Sequence, residues 1–89
     1  MFTEQAIHMP TPIETPAQLG AAARRSRKAL GLTQPQLALA AGVGVRFIVD
    51  LEAGKPTVRL TNVLRVLSAL GLNLNLYGPE DGSPRESLP

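Results

Sequence analysis

The spacing of apolar residues along the chain predicts four helices. Apolar residues recur every three or four positions over residues 16–30, 34–41, 45–53 and 59–70, a pattern typical of helices with one buried face. The buried faces predicted for the first and fourth helices comprise Leu19, Ala23, Ser26 and Leu30, and Leu60, Val63, Leu64, Leu67 and Leu70. The two short middle helices are joined by a Gly-containing turn, which indicates a helix-turn-helix arrangement.

The ends of these helices carry local signals of their own. Thr15 and Thr33 are each followed within two residues by a Pro and, three residues on, by a Gln. This pattern predicts a capping box at the start of the first and second helices. A Gly follows each helix, and we expect each one to end its helix in the left-handed conformation: Gly31, Gly42, Gly54 and Gly71.

Beyond the fourth helix the period changes from helical to alternating. Leu72, Leu74 and Leu76 alternate with Asn and Tyr, which predicts a short strand over residues 72–77. A single strand in a helical domain leaves its backbone groups and its apolar face without a partner. We therefore expect the same strand of a second copy to pair with it antiparallel across a two-fold axis, forming a homodimer through these three leucines.

Composition places these elements in one small all-α domain. The chain has 89 residues and no Cys, with two Phe, one Tyr and no Trp, so the core must be aliphatic and a partner subunit is expected to stabilise it. The predicted organisation is a flexible arm (1–14), a helix-turn-helix domain (15–71), the dimerisation strand (72–77) and a disordered Pro-containing tail (78–89).

Charge is concentrated in the predicted helical domain. The net charge is only +2, but residues 17–77 carry eight basic and two acidic residues, giving +6, while each flank contributes −2. A basic body predicts a polyanionic partner, either nucleic acid or an anionic membrane surface. The membrane is the weaker alternative, because the basic helices lack a Trp- and Phe-rich apolar face. Without a membrane-spanning run or a signal-peptide pattern, we expect a cytoplasmic, nucleoid-associated protein.

The residues of an enzyme active site are lacking. His8 is the only histidine, there is no Cys, and the few carboxylates form no paired arrangement suited to acid–base chemistry. No phosphate-binding loop, dinucleotide fingerprint or metal-ligand spacing occurs. We expect a protein that is not an enzyme and needs no cofactor or metal.

The ordered motifs of residues 17–71 resemble the XRE family of lambda-repressor-like helix-turn-helix proteins. The resemblance is carried by Arg24, Arg27-Lys28, Leu30-Gly31-Leu32-Thr33-Gln34, Leu37-Ala38, Ala41-Gly42-Val43, Ile48, Leu51-Glu52 and Gly54-Lys55. It implies a DNA-binding bundle of four to five helices. A narrower resemblance, in the stretches TPAQLG, EAGKPTVRL and LNLNL and the Pro-rich tail, is to HipB-type antitoxins. It implies a C-terminal strand in the dimer interface and a HipA-type Ser/Thr kinase toxin as partner.

In a helix-turn-helix domain the N-terminal end of the recognition helix, which is the second helix of the motif, enters the major groove. Here the recognition helix is the one predicted over residues 45–53, and its N-terminal end presents Gly44, Val45 and Arg46. Arg46 is the candidate for reading a guanine, with a phosphate contact as the alternative. Val45 stands where the family often has a polar reader; it can contact a thymine methyl but cannot hydrogen-bond. Gly44 allows close approach to a phosphate, and turn geometry explains it equally well.

Four further residues are candidate DNA-backbone contacts. Thr33 and Gln34 open the second helix, whose free N–H groups favour a phosphate; the resemblance implies that Gln34 contacts the backbone and braces the recognition helix, and capping alone is the alternative. Lys55 and Arg59 follow the recognition helix and are expected to bind phosphates.

Other charged residues receive structural or open assignments. The resemblance implies an ion pair between Arg27 and the Glu of the Leu-Glu-x-Gly signature, Glu52, which removes both from the readout set. Asp50 either accepts from a cytosine amino group or faces solvent. Arg24, Arg25 and Lys28 form a solvated face or approach phosphates or the partner.

The leading hypothesis is a dimeric repressor that binds a palindromic operator in double-stranded DNA, autoregulates its operon as an antitoxin and binds a HipA-like kinase toxin. One alternative is a stand-alone XRE-family regulator. The other is a protein-interaction module that keeps the fold without specific DNA binding, which the lack of polar side chains at Gly44 and Val45 leaves open.

Overall fold

All four predicted helices are present. The computed structural model describes residues 10–79, so residues 1–9 of the predicted arm and 80–89 of the predicted tail lie outside the described residues. The helices are α1 (Pro16–Ala29), α2 (Gln34–Ala41), α3 (Val45–Glu52) and α4 (Leu60–Ala69). Each begins and ends within one residue of its predicted bounds, which confirms the helical part of the predicted fold.

Side chains cap the first two helices as predicted. The hydroxyls of Thr15 and Thr33 accept hydrogen bonds from the backbone N–H groups of Gln18 and Gln36, each at 3.1 Å. The Gln side chains accept in return from the two Thr N–H groups, at 3.2 and 2.8 Å. The Gly that follows each helix has a positive φ, between 73° and 82°. These local signals therefore place the turns that separate the helices.

The core is aliphatic, as the composition predicts. α3 packs against both α1 and α2, and α4 packs against α2. The largest side chains that are completely buried come from the three last helices and are Leu37, Ile48, Leu51 and Val66. The pair of short helices α2 and α3 thus lies at the centre of the packing, which fixes its orientation.

Two predicted helix faces differ from the observed ones. Leu30, Leu60 and Leu64 were expected inside but are 55, 64 and 45% exposed. In α1 the buried positions include the charged Arg27, and in α4 they include Val66. The expectation was wrong for these leucines because a helical period defines apolar stripes but does not say which of two neighbouring stripes faces the core.

Two glycines let α1 and the end of α3 approach each other closely. A Cβ atom on Gly20 would lie 2.2 Å from the carbonyl oxygen of Leu51. A Cβ on Gly54, whose φ is +82°, would lie 2.9 Å from the Cα of Ala17. Since backbone atoms cannot move aside as a flexible side chain can, only Gly fits at these two positions. This contact fixes the C-terminal end of α3 on α1.

The segment that follows α4 is not a strand in this structure. Within residues 10–79 no β-strand is assigned, and Tyr77 forms an isolated bridge. Leu72 is half-buried and packs on the core, whereas Leu74 and Leu76 are 55 and 68% exposed. The predicted strand and its pairing across a homodimer therefore stay predictions. None of the helices in the described range is long and apolar enough to span a membrane.

Candidate nucleic-acid interface

Helix α3 has one buried face and one open face at its N-terminal end. Ile48 and Leu51 are buried in the core, and Phe47 packs partly against it. On the other side, Val45 is 42% exposed and the Arg46 side chain is 85% exposed. The first turn of α3 therefore presents its outer side to solvent while the packed inner side holds the helix in place.

Gly44 precedes α3 without any steric need for glycine. Its backbone lies in the ordinary extended region, with φ −77° and ψ 155°, and a Cβ atom there would meet nothing within 4 Å. Any residue can adopt this conformation, so turn geometry does not require glycine at this position. No side chain caps α3, and Gly44 itself is exposed at the start of this helix.

One carboxylate on α3 pairs with two basic side chains. Oδ1 of Asp50 lies 3.2 Å from Nε of Arg46, one helical turn earlier, and Oδ2 lies 3.6 Å from Nζ of Lys55. The side chains of Arg46 and Lys55 remain 85 and 52% exposed, and that of Asp50 is 20% exposed. Asp50 is thus largely shielded from solvent, and its carboxylate pairs with both basic residues.

A second carboxylate joins three elements beneath this surface. Glu52 accepts from Nε and Nη2 of Arg27 at 2.7 and 3.0 Å, and Oε1 also accepts from Nε2 of Gln34 at 3.1 Å. Nη1 of Arg27 donates to the carbonyl of Leu32 at 2.8 Å. This network joins α3 to α1 and to the first residue of α2. It also includes Leu32, in the loop between α1 and α2. The Arg27–Glu52 pair is the one that the family resemblance implied.

The network sets the ionisation of Glu52. Burial alone would raise the pKa of this carboxyl, but hydrogen bonds from Arg27 and Gln34, and the positive charges of Arg27 and Arg24, outweigh burial and hold the pKa below its usual range. The hydrogen bond to Glu52 in turn raises the pKa of Arg27. Both groups are therefore charged at neutral pH and hold each other in place.

Several further basic residues are exposed on the surface of the described part of the chain. Arg59 occupies the N-cap position of α4 with an exposed side chain, and Thr33 is engaged in its capping box. Within residues 10–79, Arg24, Arg25, Lys28 and Arg65 are also exposed. No group of three His, Cys, Asp or Glu residues within residues 10–79 is arranged to hold a metal ion.

Comparison with known proteins identifies the family. A helix-turn-helix family model (HTH_3) matches residues 24–77. The chain is 54% identical over 67 residues to the HTH-type transcriptional regulator y4mF of Sinorhizobium fredii, which covers 75% of this chain and 88% of that protein. The chain belongs to the XRE family of helix-turn-helix proteins. It is a helix-turn-helix transcriptional regulator, and membership of this non-enzymatic family confirms the expectation that it is not an enzyme.

Solved structures similar to this XRE-family chain include HipB. A HipB–O4 20mer complex superposes with a TM-score of 0.72 at 28% identity, covering 80% of this chain and all of that one. A HipA–HipB–O2–O3 complex gives the same values. The restriction-modification controller protein C.AhdI from Aeromonas hydrophila superposes over 65% of this chain and 84% of its own, with a TM-score of 0.59 at 31% identity.

The structure places five of the predicted site residues of this XRE domain in two clusters. Arg46 meets Lys55 through Asp50, and Arg27 meets Gln34 through Glu52. Sequence reasoning left the role of Asp50 open, although its spacing of four residues from Arg46 on one helix is a recognised signal for an ion pair. Helical spacing could not predict the hydrogen bond from Gln34 to Glu52, because the two residues are 18 positions apart and lie in different helices.

Proposed function

We propose that this XRE-family protein is a dimeric, sequence-specific DNA-binding repressor that acts as an antitoxin. The observation that carries the DNA-binding part is the open outer face of α3, where the Arg46 side chain is 85% exposed on a helix whose inner face is buried. The packed core holds this helix rigid, so the ordering cost of presenting its first turn to a major groove is low.

Base readout is assigned to the first turn of α3 and the residue before it. Arg46 reads a guanine through its terminal nitrogens, which match the O6 and N7 acceptors. Val45, 42% exposed, contacts a thymine methyl. Gly44 brings the backbone close to the DNA, which its open surroundings support.

Contacts with the DNA backbone are assigned to the residues around this helix. Lys55 and Arg59 bind phosphates from the loop that leads to α4. Gln34 contacts a phosphate at the start of α2 while its amide nitrogen is braced on Glu52. Thr33, whose hydroxyl already accepts from Gln36, contributes through the positive N-terminal end of α2.

A homodimer would present two such helices to a palindromic operator. Its support is a set of exposed apolar side chains on α4 and the segment after it, namely Leu60, Leu64, Leu74, Leu76 and Tyr77. Leu64, Leu72 and Leu74 also line one open groove. A second copy that pairs with residues 72–77 would cover these side chains, and exposed apolar side chains beside such a groove favour an association site.

The antitoxin role rests on similarity to HipB. The likeness covers the whole HipB chain, and one HipB structure is a complex with HipA. We therefore propose that this protein represses its own operon from the nucleoid and binds a HipA-like kinase toxin. The y4mF relative, named as a transcriptional regulator, supports the alternative of a regulator that works without a toxin.

A co-expression experiment separates these two functions. A kinase-like reading frame adjacent to the gene would be expressed alone and together with this protein. Growth arrest that this protein relieves, together with a stable complex of the two purified proteins, would support the antitoxin role. A reporter fused to the upstream DNA and repressed by this protein in the absence of any toxic neighbour would favour the stand-alone regulator instead.

A further inference from the structure

Asp50 brings a negative charge to the surface on which DNA is proposed to bind. Its carboxylate lies 3.2 Å from Arg46 Nε and 3.6 Å from Lys55 Nζ. A carboxylate beside a polyanion is repelled by it, so its presence between the two cations calls for a function. The Arg46 side chain of this i,i+4 pair is 85% exposed, and a pair with so exposed a partner contributes little to the stability of the fold.

The geometry of the pair suits an arginine that reads a base. Asp50 approaches Arg46 from the Nε side, and this leaves the two terminal nitrogens for the fork that a guanine accepts. An exposed Arg side chain without a partner samples many rotamers, and ordering it on binding costs free energy. A carboxylate 3.2 Å from Nε favours the rotamers that keep the ion pair, so part of this ordering precedes DNA binding.

The same residue also fixes Lys55. The chain reverses at Gly54, and the backbone N–H of Lys55 donates to the carbonyl oxygen of Asp50 at 3.0 Å. The backbone of Lys55 is thus hydrogen-bonded to Asp50, and its ammonium lies near the carboxylate of the same residue. Asp50 thereby lies between the proposed base reader and a proposed phosphate contact and pairs with both.

We propose that Asp50 is a specificity-determining positioning residue, which orients Arg46 toward its base and sets its register against Lys55. This inference rests on the proposed sequence-specific DNA binding. Asp50 acts through the two basic residues and touches no base itself. Its charge also weakens binding to duplexes that offer Arg46 no guanine, because there the arginine gains no contact that offsets the repulsion between Asp50 and the phosphates.

Asp50→Asn is the variant that tests this, since it keeps the shape of the side chain and removes the charge. Glu14→Gln is the matched control, because it changes the net charge by the same amount in the exposed residues before α1. Wild type and both variants would be used, as full chains with folding verified by circular dichroism, to select duplexes from a random library. Each would then be titrated against the selected duplex and against the same duplex with the preferred guanine replaced.

We expect Asp50→Asn to lower the preference for that guanine by about fivefold or more, the low end of what one bidentate contact provides, and to bind the replaced duplex more tightly than wild type does. Glu14→Gln should keep the wild-type preference. In an Arg46→Ala background, Asp50→Asn should leave base preference unchanged, since there is no arginine to position.

The outcomes distinguish this inference from the proposed function. A wild-type protein that selects no sequence would overturn both. A wild type that selects a sequence, with an Asp50→Asn variant of the same base preference, would overturn the role of Asp50 and leave specific DNA binding intact. An equal loss of preference with or without Arg46 would also overturn it, because Asp50 would then be acting independently of the arginine.

Discussion

Glu52 at the end of α3 and Arg27 of α1 form a two-pronged ion pair, with N–O distances of 2.7 and 3.0 Å. Only 5 and 9% of the two side chains is exposed. A third bond, from Gln34, brings the start of α2 to the same carboxylate. The pair therefore fixes both helices of the helix-turn-helix motif to α1, and the position of the surface proposed to bind DNA depends on it.

Removing Arg27 should destabilise the fold. In Arg27→Met the carboxylate of Glu52 keeps its charge in a nearly buried place and the Leu32 carbonyl loses a donor. We expect a loss of about 3 kcal/mol in the free energy of unfolding, measured by urea denaturation, which is the lower end for a broken buried pair because the site borders solvent. The double variant Arg27→Met/Glu52→Gln should recover part of this loss. Ordinary surface substitutions change the free energy of unfolding by about 0.5 kcal/mol or less. A change no larger than this in Arg27→Met would contradict the role of the pair.

Stability should fall in acid because of Glu52. Folding lowers the pKa of this carboxyl, so its ionised form stabilises the fold above the ordinary Glu pKa of about 4.3, and this contribution is lost as the pH falls through the lower folded-state value. The difference in melting temperature between wild type and Glu52→Gln should therefore become steadily smaller as the pH falls below the ordinary Glu pKa of about 4.3. A difference that stays constant down to the acid transition would show that ionisation of Glu52 does not stabilise the fold.

Dimerisation should depend on alternate residues of the segment after α4. Leu74→Asp should weaken the dimer by about tenfold or more, since burial of a Leu contributes about 1.5–3 kcal/mol. Asn73→Asp adds the same charge one position away, on the opposite face of the predicted strand, and serves as the control. Sedimentation equilibrium over a range of concentrations measures both. Equal effects of the two changes would argue against pairing through the leucine face.

Arg46 and Lys55 should differ in how they affect DNA binding. Arg46→Ala should relax the preference at one base pair by about 1–3 kcal/mol. Lys55→Ala should weaken binding to every duplex alike and reduce the slope of log affinity against log salt by about one. Fluorescence anisotropy titrations against matched and substituted duplexes at several salt concentrations separate these effects. Identical behaviour of the two variants would contradict the division between base reader and phosphate contact.

The sequence predicts the helices well because their ends carry local signals. The Thr15 and Thr33 capping boxes and the Gly at each helix end act over four or five residues and need no knowledge of the rest of the chain. The burial of Leu30, Leu60 and Leu64 could not be decided in this way. Which apolar stripe faces the core depends on how the helices pack, and an exposed stripe is stable where a second subunit covers it.

The spacing of apolar residues does not predict contacts between residues that are far apart in the sequence. The Arg27–Glu52 pair was expected only from the family resemblance. The bond from Gln34 to Glu52 and the close approach of Gly20 to Leu51 depend on the packing of three helices against one another. The pairing of Asp50 with Lys55 depends on the chain reversal at Gly54, which brings together groups that a helix alone would keep apart.

Specific DNA binding is the central claim, and one titration tests it most directly. The full chain would be titrated, by fluorescence anisotropy, against the duplex upstream of its own gene and against a scrambled duplex of the same length and base composition, at physiological salt. We expect the upstream duplex to bind at least about a thousandfold more tightly, as specific sites do compared with non-specific DNA. Equal affinity for the two duplexes would contradict specific binding and would leave the fold as a module for interaction with other proteins.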